Sequence, residues 1–397
     1  ALLLWLAGSK AFVDFSSSGL ENPLSHLLLA WIFWQGQRVG RAERDSDLVR
    51  ASRARMGLLF GAGLLGANRM DLCALVAPLV AWSLWPTFRR EGFWSATKSA
   101  LIGFSPLLLW MAFAVGYYGS PFPITAYAKL GTGIPAADLA AQGLRYFVYL
   151  WWFDPLTAVG IVLALLLGWG RGAATAALLG VVLYLGYIVK VGGDFMGTRF
   201  FAAPLFVSVL VLASRGHLLQ GLLPRVSAFW KSVTVGVAGL ALAFLSPLPT
   251  WTAGPDYGDR SEALEFCAQD GIADERGFWW QRGKTGLWSP GRLRHQPAEF
   301  DSMISQVGQG RGVVVALAVG IQGYVAGPRV YVVDPWLCDP FLARFPIRSP
   351  GAWRIGHFLR EMPAGYMDTW AAWARKESLP SEAQAPAVQQ SDAGDWQ

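Results

Sequence analysis

The stretch VKVGGDFMGTRFFAAPLF, residues 189–206, sets three charged side chains, Lys190, Asp194 and Arg199, between two runs apolar enough to sit in lipid. A charge at that depth is costly unless it is paired or faces a watery cavity. The stretch therefore reads as a polar connection between two membrane helices, with its charges as candidate functional groups. The VGGDFMG string brackets Asp194 with glycines, so the backbone can turn sharply and come close to a ligand.

The rest of the chain supports that setting. Of 397 residues, 53% are hydrophobic and only 15% charged, and the mean hydropathy is +0.35. Such a balance excludes a single soluble domain with an ordinary surface. Almost all of the excess hydrophobicity precedes residue 250. We therefore expect a multi-helix membrane region over 1–249, a water-facing domain over 250–375, and a polar, disordered tail over 376–397. The opening ALLLWLAGSK has no initiating Met, basic leader or cleavage site, and reads as the last turns of a helix already under way. The expectation is a chain truncated at its N-terminus, missing its first helices.

The apolar runs are 22–36, 56–66, 72–86, 99–116, 154–169, 173–189, 199–213 and 232–248. Several are shorter than the roughly 20 residues of a full span, so some must be tilted or broken. Arginine and lysine crowd every second connection: Arg38 to Arg55, then Arg89, Arg90 and Lys98, then Arg171, then Arg215, Arg225 and Lys231. The positive-inside rule places these four in the cytoplasm. Alternation sends 14–23, 66–71, 116–133, 191–199 and the tail domain to the outer side. Trp31, Trp34, Trp82, Trp85, Trp94, Trp151 and Trp152 fall near run ends and read as interfacial anchors.

The outer connections collect Asp14, Glu21, Arg69, Asp71, Lys129, Lys190, Asp194 and Arg199. One reading is structural: acids and bases pair to seal helix ends. The other is chemical. Carboxylates orient an attacking hydroxyl or take its proton, and Arg and Lys hold a phosphate leaving group. Asp14, Glu21 and Asp194 are thus the candidate catalytic acids, with Arg69, Asp71, Lys129 and Arg199 as donor- and phosphate-binding residues.

Taken in order, DFSSSGLENP, NRMD, GYYGSPFPITAYAK, VGGDFMGTRFFAAPLF, GIADERGF and VVDPWLCDPFLARFP with WRIGH resemble the arabinofuranosyltransferases that cap mycobacterial cell-wall arabinan, a branch of the polytopic GT-C glycosyltransferases. The resemblance runs along nearly the whole chain. It implies a GT-C-like polytopic helical membrane protein with a small extracytoplasmic α/β domain, in a bacterial plasma membrane. It also implies transfer of arabinofuranose from a polyprenyl-phosphate donor to a cell-surface glycan or protein acceptor outside. Asp194 and Arg199 would face the donor's sugar and phosphate, and Glu21, Arg69, Asp71 and Lys129 would wall the same cavity. The chain departs from the pattern where NRMD replaces Arg-Pro-acid and where Gly197 stands in place of a histidine two residues before the arginine. The family also keeps its catalytic acid in a first outer loop, expected upstream of this chain.

In the tail, GVVVALAV (312–319) and RVYVVD (329–334) read as two buried strands. GFWWQRGKTGLW (277–288) could stack sugar rings or simply pack. Asp334 and Asp339 read as a strand end and a turn. Cys267 and Cys338 share the outer side, where a disulfide is permitted, and Cys73 sits in a helix run. His26, His217, His295 and His357 show no ligand spacing, so no metal site or cofactor is expected, although carboxylates with a donor phosphate could hold a divalent cation. No phosphate loop, dinucleotide fingerprint or fixed repeat occurs, and no nucleic acid partner is expected. The alternatives are a lipid-linked glycan flippase, whose ionisable groups should lie at the midplane, a donor-binding scaffold, and a GT-C enzyme for another sugar such as mannose.

Overall fold

The computed structural model describes residues 1–216, 227–251 and 270–276, and in the remainder 313–315, 323, 326–327, 330–334, 342, 345–347, 355–366, 368–369 and 372. Cys267, Cys338, Asp339, the 277–288 string and the 376–397 tail lie outside these residues. The chain forms two compact units, Ala1–Phe122 with Ile134–Phe278, and Pro123–Gly133 with Trp279–Gln397. The change of composition near Thr250 thus falls within the first unit.

The first unit is helical. Its elements are α1 (Leu2–Gly8), α2 (Lys10–Ser16), α3 (Asn22–Arg44), α4 (Leu48–Asn68), α5 (Cys73–Glu91), α6 (Phe93–Gly103) and α7 (Ser105–Tyr118). In the second unit α8 (Ile124–Leu130) follows, and the first unit resumes with α9 (Ala136–Phe153), α10 (Pro155–Leu167), α11 (Ala173–Val191), α12 (Ala202–Ser214) and α13 (Ala228–Phe244). Every apolar run of the sequence overlaps one or more of these helices, although 154–169, 199–213 and 232–248 extend beyond the helix ends. α3 starts with proline in its first turn and ends on Arg41 and Arg44, each suited to its end of the helix dipole.

Among the described residues two helices are long and apolar enough to cross a membrane, Met70–Glu91 and Ala173–Val191. The bent pairs α6–α7, at 64°, and α9–α10, at 109°, bring the candidate spans to as many as four. α3 and α4 have the length, but Arg38, Arg41, Glu43 and Arg44 on one, and Arg50, Arg53 and Arg55 on the other, make them more polar. The outward surface is apolar: Ala114 is the one buried residue of α7, and Leu109 and Trp94 are 71% and 80% exposed. A face of that kind suits lipid, because water would expel it. Of the seven anchor tryptophans, Trp82 packs against the core and the other six are exposed.

The core runs through α3, α4, α5, α9, α11 and α12, with Leu58, Leu59, Leu65, Leu72, Leu75, Tyr146, Tyr184 and Phe201 almost wholly buried. α11 lies against α5 so closely that a Cβ on Gly180 would strike the Leu75 carbonyl oxygen. Small residues permit such backbone approach where the hydrophobic effect cannot drive helices together.

Two helix breaks are fastened by one carboxylate. Asp154, between α9 and α10, caps α10 through Thr157 N at 3.1 Å and accepts from the Thr157 hydroxyl at 2.6 Å. It also accepts from Ala11 N at 2.7 Å, in the first turn of α2, and from the Ser9 hydroxyl at 3.4 Å. Ser9 is the residue where α1 gives way to α2, and its hydroxyl lies 2.6 Å from that of Thr157. One buried acid thus satisfies the free N–H groups of two helix ends at once.

The second unit, taken by itself, contains β1 (Val313–Val315) and β2 (Tyr331–Val333), paired in parallel with Val314 opposite Val332. Both strands lie inside the apolar stretches expected to form them. Arg360, buried, donates to Phe345 O at 2.9 Å and to Ala128 O at 2.7 Å, which fastens α8 to the C-terminal part of the chain.

Asp154→Ala should lower stability by about 2–4 kcal/mol, since two backbone donors lose their acceptor, and Asp154→Asn by less. Gly180→Ala should destabilise by about 3 kcal/mol or more by forcing α5 from α11, whereas Gly186→Ala on the same helix meets nothing within 4 Å and should be neutral. Thermal unfolding of each variant in detergent measures both pairs.

Candidate active site

The guanidinium of Arg69 is the centre of a buried cluster. Arg69 ends α4, where its N–H closes the last turn on Leu65 O at 2.7 Å. A 3-10 turn follows at once and brings Asp71 back beneath it, with Arg69 Nε 2.9 Å from Asp71 Oδ1. Arg69 Nη1 lies 3.4 Å from Glu21 Oε1, and Nη2 donates to the Tyr184 hydroxyl at 3.3 Å. That hydroxyl donates in turn to Asp71 Oδ2 at 2.5 Å. Asn68 completes the junction by donating to Glu21 O at 3.3 Å and to the Ser25 hydroxyl at 3.0 Å. The ends of α3, α4 and α5 and the side of α11 therefore meet at one guanidinium.

The 192–201 connection forms the adjoining wall. Gly192 and Gly193 take φ of 81° and 76°, a left-handed conformation that side chains resist, and turn the chain out of α11. Asp194 then faces inward with its side chain 0% exposed, and Arg199 Nε stands 2.7 Å from Asp194 Oδ2. The Phe200 ring lies between the two cations, 5.2 Å from Arg69 and 5.4 Å from Arg199, at distances where a ring face attracts positive charge. Tyr146, buried on α9, holds the turn: its hydroxyl donates to Met196 O at 2.8 Å and accepts from Phe200 N at 3.2 Å. Thr198 takes φ of 64°, uncommon for a β-branched residue, and is fully buried beside Arg199.

The backbone of residues 271–274 is stitched to this connection. Gly197 N donates to Ala273 O at 2.8 Å, and Ala273 N donates to Phe195 O at 2.7 Å. The next residues enter a second buried cluster. Lys10 Nζ lies 2.7 Å from Asp14 Oδ2 and 3.1 Å from Asp274 Oδ2, and Arg276 Nη1 lies 2.7 Å from Asp14 Oδ1. Thr250 adds its hydroxyl to Asp14 at 3.4 Å. Two acids and two bases neutralise each other there, which buried charges require.

The eight outer charges of the sequence thus separate into groups. Glu21, Arg69, Asp71, Asp194 and Arg199 fall in the contiguous set around Phe200 and Tyr184. Asp14 belongs to the Lys10 cluster. Lys190 is exposed at the end of α11, and Lys129 is on α8 in the second unit. Accessibility is graded within the central set: Glu21 is 30% exposed, Asp71 17% and Arg199 14%, with Asp194 and Arg69 behind them. Tyr184, Tyr146, Lys10, Asp274 and Arg276 escaped the reading of the sequence. The quoted GIADERGF string contains the last two and was the available signal.

Among the described residues no three His, Cys, Asp or Glu gather as a metal-holding group. His26 stacks on Phe12 at 4.7 Å and lies tilted against Phe206 at 5.1 Å, in aromatic packing. Asp334 is buried at the end of β2.

No family model matches the chain, and no solved structure matches it. It is similar to two curated proteins, each named terminal beta-(1->2)-arabinofuranosyltransferase. That of Corynebacterium glutamicum is 29% identical over 300 residues, covering 67% of this chain and 40% of the relative. That of Mycobacterium tuberculosis is 28% identical over 314 residues, covering 68% of this chain and 45% of the relative. The chain spans less than half the length of the curated relatives it matches, and over about two thirds of its own length it resembles arabinofuranosyltransferases.

Proposed function

We propose that the chain is part of a membrane glycosyltransferase that moves a pentofuranose, arabinofuranose by the names of its relatives, from a polyprenyl-phosphate donor to an acceptor hydroxyl on a surface glycan or protein at the outer face. The observation that carries this reading is the Glu21–Arg69–Asp71–Asp194–Arg199 set, in which acids and cations from three connections converge and grade from buried to accessible. The names of the two relatives point the same way.

The proposed division of labour follows from accessibility. The acceptor oxygen bonds to the anomeric carbon as the bond from that carbon to the phosphate oxygen breaks. The electron pair leaves with the polyprenyl phosphate, and the acceptor proton must go to a base. Asp194 is enclosed and faces Arg199, so its role is to aim that guanidinium, whose accessible part suits the leaving phosphate. Glu21 is the most exposed acid of the set, so it is the one to meet an acceptor hydroxyl. Asp71 and Arg69 hold Glu21 in place from behind. Asp14 is occupied by Lys10 and Arg276, and its role is to hold the 271–276 segment and through it the 194–199 turn.

Transfer from radiolabelled polyprenyl-phosphoryl arabinose by membranes containing the protein tests this reading. Arg199→Ala should cost about 10²–10³-fold in rate, and Asp194→Asn should fall with it. Glu21→Gln should cost about 10²-fold or more if it takes the proton. Near-normal rates in all three would remove the cluster from the reaction. Asp14→Asn should instead lower the thermal midpoint while the rate per folded molecule stays within a few-fold, which separates a holding role from a chemical one.

A further inference from the structure

At the far end of α5 from the Arg69 cluster, α5 and α6 diverge from the turn at Gly92, whose φ is 88°. Eighteen residues of rise separate Asp71 from Arg89, about 27 Å, close to the thickness of a hydrocarbon core. Between the two helices runs a groove of ≈ 350 Å³ lined by Ala81, Leu84, Trp85, Phe88, Phe93 and Ala96, with Thr97 its only side chain bearing a hydroxyl. Trp85, Phe88 and Phe93 are largely exposed, so the groove opens outward rather than into the core.

The charges around this groove are unequal. Glu43 is taken up by Arg55 and Arg90 together, and Glu91 accepts from the Ser95 hydroxyl. Arg89 has no ion pair among the described residues, and its guanidinium lies 5.8 Å over the ring of Trp85, a wall of the groove. Lys98 is exposed one residue beyond Thr97. An apolar trough with a cation above its aromatic wall matches an acyl chain joined to a phosphate. A zwitterionic headgroup would bring its own ammonium toward Arg89 and Lys98, so the charge surplus selects an anionic one.

We propose that this groove is a binding site for an anionic phospholipid, with an acyl chain along Trp85, Phe88 and Phe93 and the phosphate on Arg89. It faces the leaflet opposite the candidate active site, and does not depend on the reaction proposed for that site. A polyprenyl phosphate shares the charge and the apolar tail, but the donor's cluster lies at the other end of α5.

The test is native mass spectrometry of the purified protein released from detergent, with equimolar phosphatidylglycerol and phosphatidylcholine present. One phosphatidylglycerol should be retained at about fivefold or more over phosphatidylcholine, the ratio that about 1 kcal/mol per basic residue implies. Arg89→Glu, at an exposed position, should abolish the preference, and Ala96→Trp, which fills the groove, should remove the retained lipid. Arg171→Glu, a reversal in a different basic turn, should change neither. Equal retention of the two lipids, an unchanged preference in Arg89→Glu, an equal loss in Arg171→Glu, or displacement by undecaprenyl phosphate at equal concentration would each overturn the proposal.

Discussion

A guanidinium taken out of water must be surrounded by opposite charge and hydrogen-bond acceptors, or the region around it does not form. Arg69 obeys this with Asp71, Glu21 and the Tyr184 hydroxyl, which come from a turn after α4, the start of α3 and the middle of α11. Asp71 is delivered locally, but neither Glu21 nor Tyr184 could reach Arg69 if α3, α4 and α11 were shifted by a helical turn along one another. The polar cluster therefore sets the register of the apolar helices, although apolar packing contributes most of their contact. Leu72 and Leu75 are buried just beyond Asp71 because the turn that delivers the carboxylate also points them inward.

The same constraint works a second time on the neighbouring segment. Residues 271–276 bury only Ile272 and Ala273 as apolar side chains, so further contacts are needed to hold the segment. Backbone pairing of Ala273 with Phe195 and Gly197 holds one end, and the charges of Asp274 and Arg276 against Lys10 and Asp14 hold the other. Through this route a sequence-distant segment limits how the Asp194 turn can move. A rigid turn is what an acid that aims a cation requires, since a loss of 1 Å in placement removes much of the benefit of preorganisation.

Much of this is legible in the sequence because buried charge is rare in an apolar chain. Glu21, Arg69, Asp71, Asp194 and Arg199 stand out against their flanks, and each is found where the helix ends converge. Aromatic hydroxyls do not stand out: Tyr184 lies inside the apolar 173–189 run and Tyr146 in a stretch outside every apolar run, yet their hydroxyls hold the Arg69–Asp71 pair and the 194–200 turn. Asp154 opens the 154–169 run, where it reads as a simple helix start. Its bond to Ala11 depends on a contact over 143 residues that no local pattern encodes. Lys129 and Lys190 carried the same sequence signal as Arg199, and only tertiary placement separates them, one on α8 in the second unit and the other exposed at the end of α11.

The glycine at 197 shows how a departure from a family pattern acquires a physical reason. The resemblance leads one to expect histidine there, two residues before Arg199. In this chain a Cβ at that position would come within 2.5 Å of the Tyr149 ring and 2.6 Å of its hydroxyl, and Tyr149 is itself stacked on Phe153 at 4.3 Å. The space beside the turn is therefore filled from α9 rather than from the turn. Close-packed interiors tolerate such exchanges when the summed volume is kept, so a histidine at 197 would need a smaller residue at 149.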